Sequence, residues 1–321
     1  MPGITPRGPG ESPGPEPLGT GLRRNNADRD HPHAIAELLA DPRARVVDLA
    51  EGATPVTTDS GESRPQARLS WRPPRPDDAE HLVLSIGRDG AAGPVLAVVR
   101  DREFVAPAGS TWRGLREVGA DLDPFDAEVF MTAVALARWH ESHPRCPRCG
   151  AETVSERAGW TRRCPQDGSE HFPRTDPAVI MAVVDEFDRL LLGRNVLWPT
   201  GRFSVLAGFV EPGERLEAAV VREVHEEVGV NVTDVQYFGS QPWPFPASLM
   251  LGFTARAVQP DLRPDADEIA EARWVSREEV RQLVENAQLT LPGRLSIARR
   301  LIEDWYGGRL SPAREATWGR R

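Results

Sequence analysis

Three glutamates in the segment Leu216–Val228 are spaced so that they could hold a divalent cation. Glu223, Glu226 and Glu227 stand at i, i+3 and i+4, and apolar residues of the same segment recur at helical spacing. A helix would therefore place all three carboxylates on one face, where they repel one another. A divalent cation relieves that repulsion, and Mg²⁺ and Mn²⁺ prefer oxygen ligands of this kind. Such a site suits chemistry on phosphate groups.

These glutamates belong to a longer pattern that begins at Gly208. The chain reads GFVEPGERLEAAVVREVHEEVGV from this glycine, which resembles the Nudix box G-x5-E-x7-R-E-U-x-E-E-x-G-U, with U apolar, at every fixed position. Seven of those positions require Gly, Glu or Arg, so a chance match is on the order of one in a million. The sequence therefore resembles the Nudix hydrolase family.

The resemblance implies roles for the residues of the box. Glu223, Glu226 and Glu227 are expected to be catalytic and to bind Mg²⁺ or Mn²⁺, with Glu227 the first choice for the essential group. The backbone carbonyl of Ala207 and the carboxylate of Glu268 are expected to complete the cation site, although a charged surface loop is the other interpretation of Glu268. The structural residues are expected to be Gly208, where the backbone turns tightly, and the pair Glu214 and Arg222.

A second motif, Ser240–Ser248, reads SQPWPFPAS and resembles the signature of the NADH pyrophosphatase subfamily at all its fixed positions. Its prolines would hold the aromatic side chains on a stiff scaffold that cannot join a sheet ladder at those positions, although a polyproline-like linker has the same composition. The resemblance implies that this loop binds a dinucleotide through Gln241, Pro242, Trp243, Pro244, Phe245, Pro246, Ala247 and Ser248. By the same resemblance, Phe172 and Phe209 are candidates for stacking on bases, and Ala298 for lining the pocket.

All three cysteines lie in one short stretch, as a metal site rather than a disulfide framework would require. Cys146, Cys149 and Cys164 have zinc-ribbon spacing, and the resemblance implies a fourth Cys where this chain has Asp167. Asp167 or His171 could complete a tetrahedral site for one structural Zn²⁺. The alternative is a ribbon that has lost its metal and is held by packing alone.

Composition limits the other functions of the chain. Its 321 residues carry a net charge of −9, which gives no general attraction to nucleic acid or to anionic membranes. No apolar run is long enough to predict a membrane span, and we expect the Pro- and Gly-rich first 20 residues to be a disordered tail and not a signal peptide. The clustered cysteines favour a reducing cytoplasm, and the family resemblance implies a homodimer.

The fold class predicted from the sequence is α+β, with five segments. We expect a disordered tail at 1–28, an N-terminal α+β domain at 29–143, a zinc ribbon at 144–174, a Nudix domain at 175–306 and a C-terminal tail at 307–321. The Nudix domain should be an α/β/α sandwich with a mixed sheet. The N-terminal domain shows no ligand spacing, so packing or dimerisation is its expected role.

Secondary structure in the N-terminal domain is predicted from periodicity and from turn and cap residues. His33–Leu49 is predicted to be a helix, and His81–Val99 two strands joined by a Gly-rich turn. Asp123 is expected to cap a helix that begins at Pro124 and reaches His140.

The function predicted from both motifs is cation-dependent hydrolysis of the pyrophosphate of NADH or NAD⁺ to AMP and the nicotinamide mononucleotide. Removal of NAD caps from RNA 5′ ends by the same site is one alternative, because the dinucleotide is the same. A Nudix module that senses nucleotides without hydrolysing them is the other, although it would not need three carboxylates.

Overall fold

The computed structural model describes residues 21–59, 66–90, 93–101 and 103–310, which form three units along the chain. The N-terminal unit has a four-stranded sheet of order β1-β5-β6-β2 and a three-stranded sheet of order β4-β3-β7. Helix α3 packs its apolar face, including Phe130 and Val134, against this unit's core. The elements of this unit are β1 (Leu22–Arg23), α1 (Ala34–Ala40), β2 (Arg45–Leu49), β3 (Ala53–Asp59), β4 (Gln66–Leu69), β5 (Leu82–Asp89), β6 (Gly93–Val99), β7 (Thr111–Gly114), α2 (Leu115–Val118) and α3 (Pro124–Ser142).

The secondary structure predicted from sequence for this unit is partly right. The strands in 81–99 are present, and the side chain of Asp123 accepts a hydrogen bond from the Asp126 amide at the start of α3. The helix predicted over 33–49 is wrong beyond residue 40. There the chain turns and enters β2, whose buried apolar residues pair in parallel with β6.

The predicted tails lie mostly on residues 1–20 and 311–321, outside the described residues. The boundary at residue 28 is too late, because β1 already pairs with β5 at Leu22 and Arg23. At the other end, Gly307 ends the last helix in a left-handed conformation and Leu310 is buried. None of the described helices is both long and apolar enough to cross a bilayer.

The second unit is a small antiparallel sheet of order β10-β9-β8, made of β8 (Val154–Glu156), β9 (Thr161–Arg163) and β10 (Glu170–His171). His140 of α3 attaches it to the N-terminal unit. The His140 Nε2 atom lies 2.8 Å from the Gly159 carbonyl oxygen, and Arg162 donates to Nδ1 at 2.8 Å. Burial lowers the pKa of His140 to about 4, so the imidazole is neutral and donates to Gly159.

The third unit is built on a mixed sheet of order β14-β15-β11-β12-β16, with β13 also paired to β11. Strand β11 runs parallel to β15 and antiparallel to β12 and β13. Its elements are β11 (Asp176–Val184), β12 (Leu190–Asn195), β13 (Leu206–Phe209), α4 (Leu216–Val228), β14 (Val232–Trp243), β15 (Ser248–Ala257), β16 (Ile269–Val275), α5 (Arg277–Glu285) and α6 (Ile297–Tyr306).

Alternate residues of the central strand β11 cover opposite faces of the sheet. Val179, Met181 and Val183 pack against the buried face of α4. Ile180 and Ala182, between them, pack against α5 and α6. This period of two places one helical layer on each side of the sheet, as a strand buried on both faces requires. The predicted α+β class and the α/β/α sandwich with a mixed sheet are confirmed.

The second motif forms the end of one hairpin. Contrary to prediction, Pro242 does lie in a strand: it pairs with Leu249, and Trp243 pairs with Ser248. Strand β14 is at the edge of the sheet, where a proline does not interrupt a ladder on its outer side. The motif is therefore an ordered wall of the third unit and not a linker.

Candidate active site

Helix α4 packs an apolar face on the sheet and carries an acidic face beside β13. Ala219, Val220 and Val224 are completely buried at helical spacing. The helix ends at Gly229, which adopts a left-handed conformation with φ 72°. This fixed orientation directs the glutamates toward β13 and toward the loop that precedes β16.

Three carboxylates meet beside this helix. Glu227 is 8% exposed, and its Oε2 atom is buried without a hydrogen-bond partner among the described residues. Burial, together with the charges of Glu223 and Glu268, raises the pKa of Glu227 to about 8. Burial also raises the pKa of Glu223, although the Arg222 guanidinium opposes this shift. The predicted carboxylate Glu268 thus lies close enough to repel the other two.

A glycine allows Glu223 to approach the sheet. A Cβ atom at Gly208 would lie 1.9 Å from the Glu223 Cδ atom and 2.1 Å from each carboxylate oxygen. No residue with a side chain fits there unless the carboxylate moves. Ala207, the predicted carbonyl ligand, precedes Gly208 in β13 and pairs with Ile180 of β11.

Arg222 ties the loop before α4 to the acidic face. Its Nε and Nη2 atoms each donate to Glu214 at 2.8 Å, and Nη2 also donates to the Phe209 carbonyl at 2.9 Å. The predicted ion pair is therefore present. Nη1 donates to Glu223 at 2.8 Å and to Glu226 at 2.9 Å. The Glu226 side chain is 59% exposed, so it is the outermost of the three glutamates.

The loop that carries Glu268 is attached to the end of α4. The Asp265 amide donates to the Glu227 carbonyl at 2.9 Å, and the Glu268 amide donates to the Asp265 carbonyl at 3.1 Å. A buried carboxylate beside two further acids is costly unless a proton or a cation neutralises it. The arrangement of Glu223, Glu227 and Glu268 therefore fits an oxygen-ligated divalent cation.

A cavity of about 210 Å³, the smaller cavity, opens beside Glu227. Predicted residues from separate parts of the chain meet in its wall, namely Ala207, Gln241, Trp243 and Ala298. Ligand pockets for whole drug-sized molecules usually measure about 300–1,000 Å³. The smaller cavity is thus sized for one end of a dinucleotide.

The Ser240–Ser248 motif walls two cavities, because successive residues of a strand face opposite sides. Gln241 faces the smaller cavity, whereas Ser240 and Pro242 face a cavity of about 580 Å³, here called the interdomain cavity. Pro244, Ala247 and Ser248 also line the interdomain cavity. Trp243 lines both cavities.

Several predicted substrate residues have other contacts. The Gln241 amide is 1% exposed, donates to the Leu295 carbonyl and accepts from the Ile297 amide at 2.7 Å, so it holds the start of α6. The Phe245 ring lies 4.0 Å from the Arg116 guanidinium and 4.8 Å from that of Arg138, packed against the N-terminal core.

Phe245 and three further predicted residues lie outside the walls of both cavities in the described structure. Phe172 and Phe209 are each 58% exposed, and Pro246 continues the turn between β14 and β15. Their roles in binding, like those of Gln241 and Phe245, stay predictions.

The smaller cavity also contains residues that the sequence analysis missed. Trp198 and Arg202, from the connection between β12 and β13, line it, and the Arg202 guanidinium lies 4.9 Å from the Trp198 ring centroid. No local pattern marks this connection, because its position depends on contacts made after folding.

The second unit brings the three cysteines and Asp167 together. One possible ligand atom from each of Cys146, Cys149, Cys164 and Asp167 lies within 4.8 Å of all the others. His171, the other predicted fourth ligand, is outside this cluster, and its Nε2 atom lies 3.1 Å from Ser169 Oγ. Three sulfurs and one carboxylate form a donor set that suits a tetrahedral zinc ion.

The mixed-sheet sandwich with Glu223, Glu226 and Glu227 on one helix is the architecture expected of a Nudix domain, and comparison with known families agrees. Residues 174–293 match the model of the NUDIX domain, and residues 141–172 match that of the NADH pyrophosphatase zinc ribbon domain. The chain therefore contains a Nudix domain directly preceded by a zinc ribbon of the NADH pyrophosphatase type. The family resemblance seen in the two motifs is confirmed.

Known relatives match about three fifths of the chain. "NAD-capped RNA hydrolase NudC" of Mycobacterium tuberculosis (strain ATCC 25618 / H37Rv) is 46% identical over 200 residues, which are 60% of this chain and 64% of that protein. Human "NAD-capped RNA hydrolase NUDT12" is 41% identical over 199 residues, 58% of this chain and 43% of that protein. The match thus spans less than two thirds of either relative.

A solved structure, "NUDIX hydrolase from Nitrosomonas europaea", aligns with a TM-score of 0.34 and 26% identity, covering 44% of this chain and 94% of that one.

Proposed function

We propose that this protein hydrolyses the pyrophosphate bond of NADH or NAD⁺ and releases AMP and the nicotinamide mononucleotide. One observation carries the proposal: buried Glu227, one of whose carboxylate oxygens has no partner among the described residues, lines the same cavity as Gln241, Trp243 and Ala298. Glu227 thus shares a cavity with two residues of the dinucleotide motif, Gln241 and Trp243. The zinc ribbon of the NADH pyrophosphatase type supports the same substrate class.

In this proposal each part of the site has one task. Glu223, Glu227, Glu268 and the Ala207 carbonyl hold Mg²⁺ or Mn²⁺, with Glu226 as a supporting carboxylate or base. The bound cations supply positive charge to the phosphate oxygens and lower the pKa of water. Glu214 and Arg222 keep the glutamates in position, and one end of the dinucleotide occupies the smaller cavity.

NAD-capped RNA is the second proposed substrate. Both relatives described above carry this activity in their names. The site needs only the dinucleotide part of such a molecule. A sensing module without turnover is disfavoured, because it would not need Glu223, Glu226 and Glu227 together.

A single assay separates these substrates. We expect AMP, or RNA with a 5′-monophosphate, to be released from NADH, NAD⁺ or NAD-capped RNA in the presence of Mg²⁺ or Mn²⁺. ADP-ribose serves as the competing dinucleotide-like substrate. Glu227→Gln should lower turnover at least about 10²-fold, as the loss of a charge-stabilising group usually does.

Glu217→Gln is the matched control, because it removes one exposed charge from the first turn of the same helix. Its turnover should equal that of the unchanged protein. Near-normal turnover of Glu227→Gln would overturn the assignment of this residue. Absence of turnover on every substrate would overturn the proposed function.

We further propose that Cys146, Cys149, Cys164 and Asp167 hold one structural Zn²⁺. Free thiols in such a cluster suit a reducing cytoplasm, where we place the protein. A homodimer is proposed from the family alone.

A further inference from the structure

The N-terminal unit contacts the second motif directly, although the sequence predicts only packing or dimerisation for this unit. The Arg138 Nη1 atom of α3 donates to the Pro244 carbonyl at 2.9 Å. The Arg116 guanidinium of α2 lies 4.0 Å from the Phe245 ring centroid and 5.7 Å from that of Trp243. The Arg138 guanidinium lies 4.8 Å from the Phe245 centroid, so both arginines contact that ring.

The two aromatic rings of the motif contact each other. The centroids of Trp243 and Phe245 are 5.1 Å apart and their planes meet at 67°, which is an edge-to-face arrangement. Phe245 packs against the N-terminal core, whereas Trp243 lines the smaller cavity. The aromatic pair therefore joins the N-terminal unit to the wall of that cavity.

The loop before α6 makes a second connection between the N-terminal and third units. Arg294 Nη2 forms an ion pair with Asp121 at 2.8 Å, and Leu295 packs against the N-terminal core. The carbonyl of Leu295 accepts a hydrogen bond from the side chain of Gln241, which lines the smaller cavity. Both motif residues in the wall of the smaller cavity, Gln241 and Trp243, are thus connected to the N-terminal unit.

The two arginines are costly choices for contacts that only fill space. Both are half-buried, and burial lowers the pKa of each. The positive charges of Arg138 and Arg202 lower the pKa of Arg116 further. Apolar side chains would pack against the rings without this repulsion. A guanidinium adds a planar face that stacks on aromatic rings and N–H donors of fixed direction, so it orients the group that it contacts.

We propose that Arg116 and Arg138 are positioning residues, which hold the second motif in the orientation that lets Trp243 bind the dinucleotide. This inference rests on the proposed hydrolysis. The two arginines line neither cavity and act through Pro244 and Phe245. Their loss should weaken substrate binding and raise KM, whereas kcat should be kept because the carboxylate cluster is unchanged.

Steady-state kinetics with NADH and Mg²⁺ test the inference in Arg116→Met and Arg138→Met. Each substitution should raise KM about 10-fold, the usual effect of losing a charge-assisted hydrogen bond or a desolvated cation–π contact. In both variants kcat should stay within about 2-fold of the value for the unchanged protein. A loss confined to kcat, or an unchanged KM in both variants, would overturn the inference.

Arg113→Met is the matched control. Arg113 lies in β7 of the same unit, three positions before Arg116, and forms a largely exposed ion pair with Glu117. The control should change neither KM nor kcat. The two test substitutions lie in different helices, so either one decides the test if the other prevents folding.

Hydrogen exchange of backbone amides gives a readout that does not need turnover. Exchange in residues 240–248 should be at least about 5-fold faster in both variants, because the segment has lost a restraint. Exchange in residues 216–228 should not change, because α4 packs on the sheet of the third unit. Equal acceleration in the two segments, or unchanged exchange in 240–248, would overturn the inference. If the unchanged protein does not hydrolyse NADH, the proposed function fails, and hydrogen exchange alone decides whether the arginines hold the motif.

Discussion

The contact between Gly208 and Glu223 allows a sharp test of the carboxylate cluster. Replacing Gly208 with alanine would place a Cβ atom 1.9 Å from the Glu223 Cδ atom. Unstrained carbon contacts are about 3.5 Å or longer, so the carboxylate must retreat by roughly 1.5 Å. A displacement of about 1 Å at a reacting site can cost about 10²-fold in rate. We therefore expect turnover of NADH to fall about 10²-fold in Gly208→Ala.

The same substitution should have little effect on folding. The clashing atoms are the end of a flexible side chain, and residue 208 is not among the glycines of positive φ, so alanine can adopt its backbone. The assay measures kcat, the Mg²⁺ concentration for half-maximal rate and Tm. Gly114→Ala is the control, because a Cβ there meets nothing within 4 Å.

A double variant tests whether the effect passes through Glu223. If Gly208→Ala acts only by displacing that carboxylate, adding Glu223→Gln should produce no loss beyond that of the worse single variant. Turnover of Gly208→Ala within about threefold of the unchanged protein would refute the reasoning. Additive losses in the double variant would refute the route through Glu223.

Two other predictions concern the second unit. Because the folded-state pKa of His140 is about 4 and its ordinary value is 6.5, the unfolded chain binds the extra proton between these values. The free energy of unfolding should thus fall by up to about 3 kcal/mol as pH falls from 6.5 to 4. In urea denaturation at several pH values, the free energy of unfolding of His140→Gln should fall less between pH 6.5 and 4 than that of the unchanged protein. An equal fall in both proteins would contradict the prediction. Asp167→Ala should lower the bound zinc measured by elemental analysis, whereas His171→Ala should not; the reverse result would make His171 the fourth ligand.

The parts of the molecule that could be predicted from sequence are those determined by short-range geometry. The spacing of Glu223 and Glu227 sets their shared helical face, and Asp123 before Pro124 is sufficient to predict the start of α3. The continuous apolar run of β11 indicates a strand that is buried on both faces, as it is in the sandwich. Each of these features depends on residues a few positions apart.

The wrong or missing predictions depend on distant partners. Arg45–Leu49 is apolar enough for a helix, and only its pairing with β6 makes it a strand. Pro242 is compatible with a strand only because β14 has no neighbour on one side. The side-chain amide of Gln241 donates to the backbone carbonyl of Leu295, which precedes α6 and lies 54 positions further along the chain.

The same difference, between features set by nearby residues and features set by distant partners, separates the chemistry of the site from its specificity. The cation-binding face needs one helix, one glycine and one loop, so a short pattern is enough to identify it. We expect substrate choice to depend on the surroundings of Trp243, which lines both cavities, where residues from three units of the chain meet. Relatives that share the box need not share a substrate, because the wall beyond Trp243 is built by other parts of the chain.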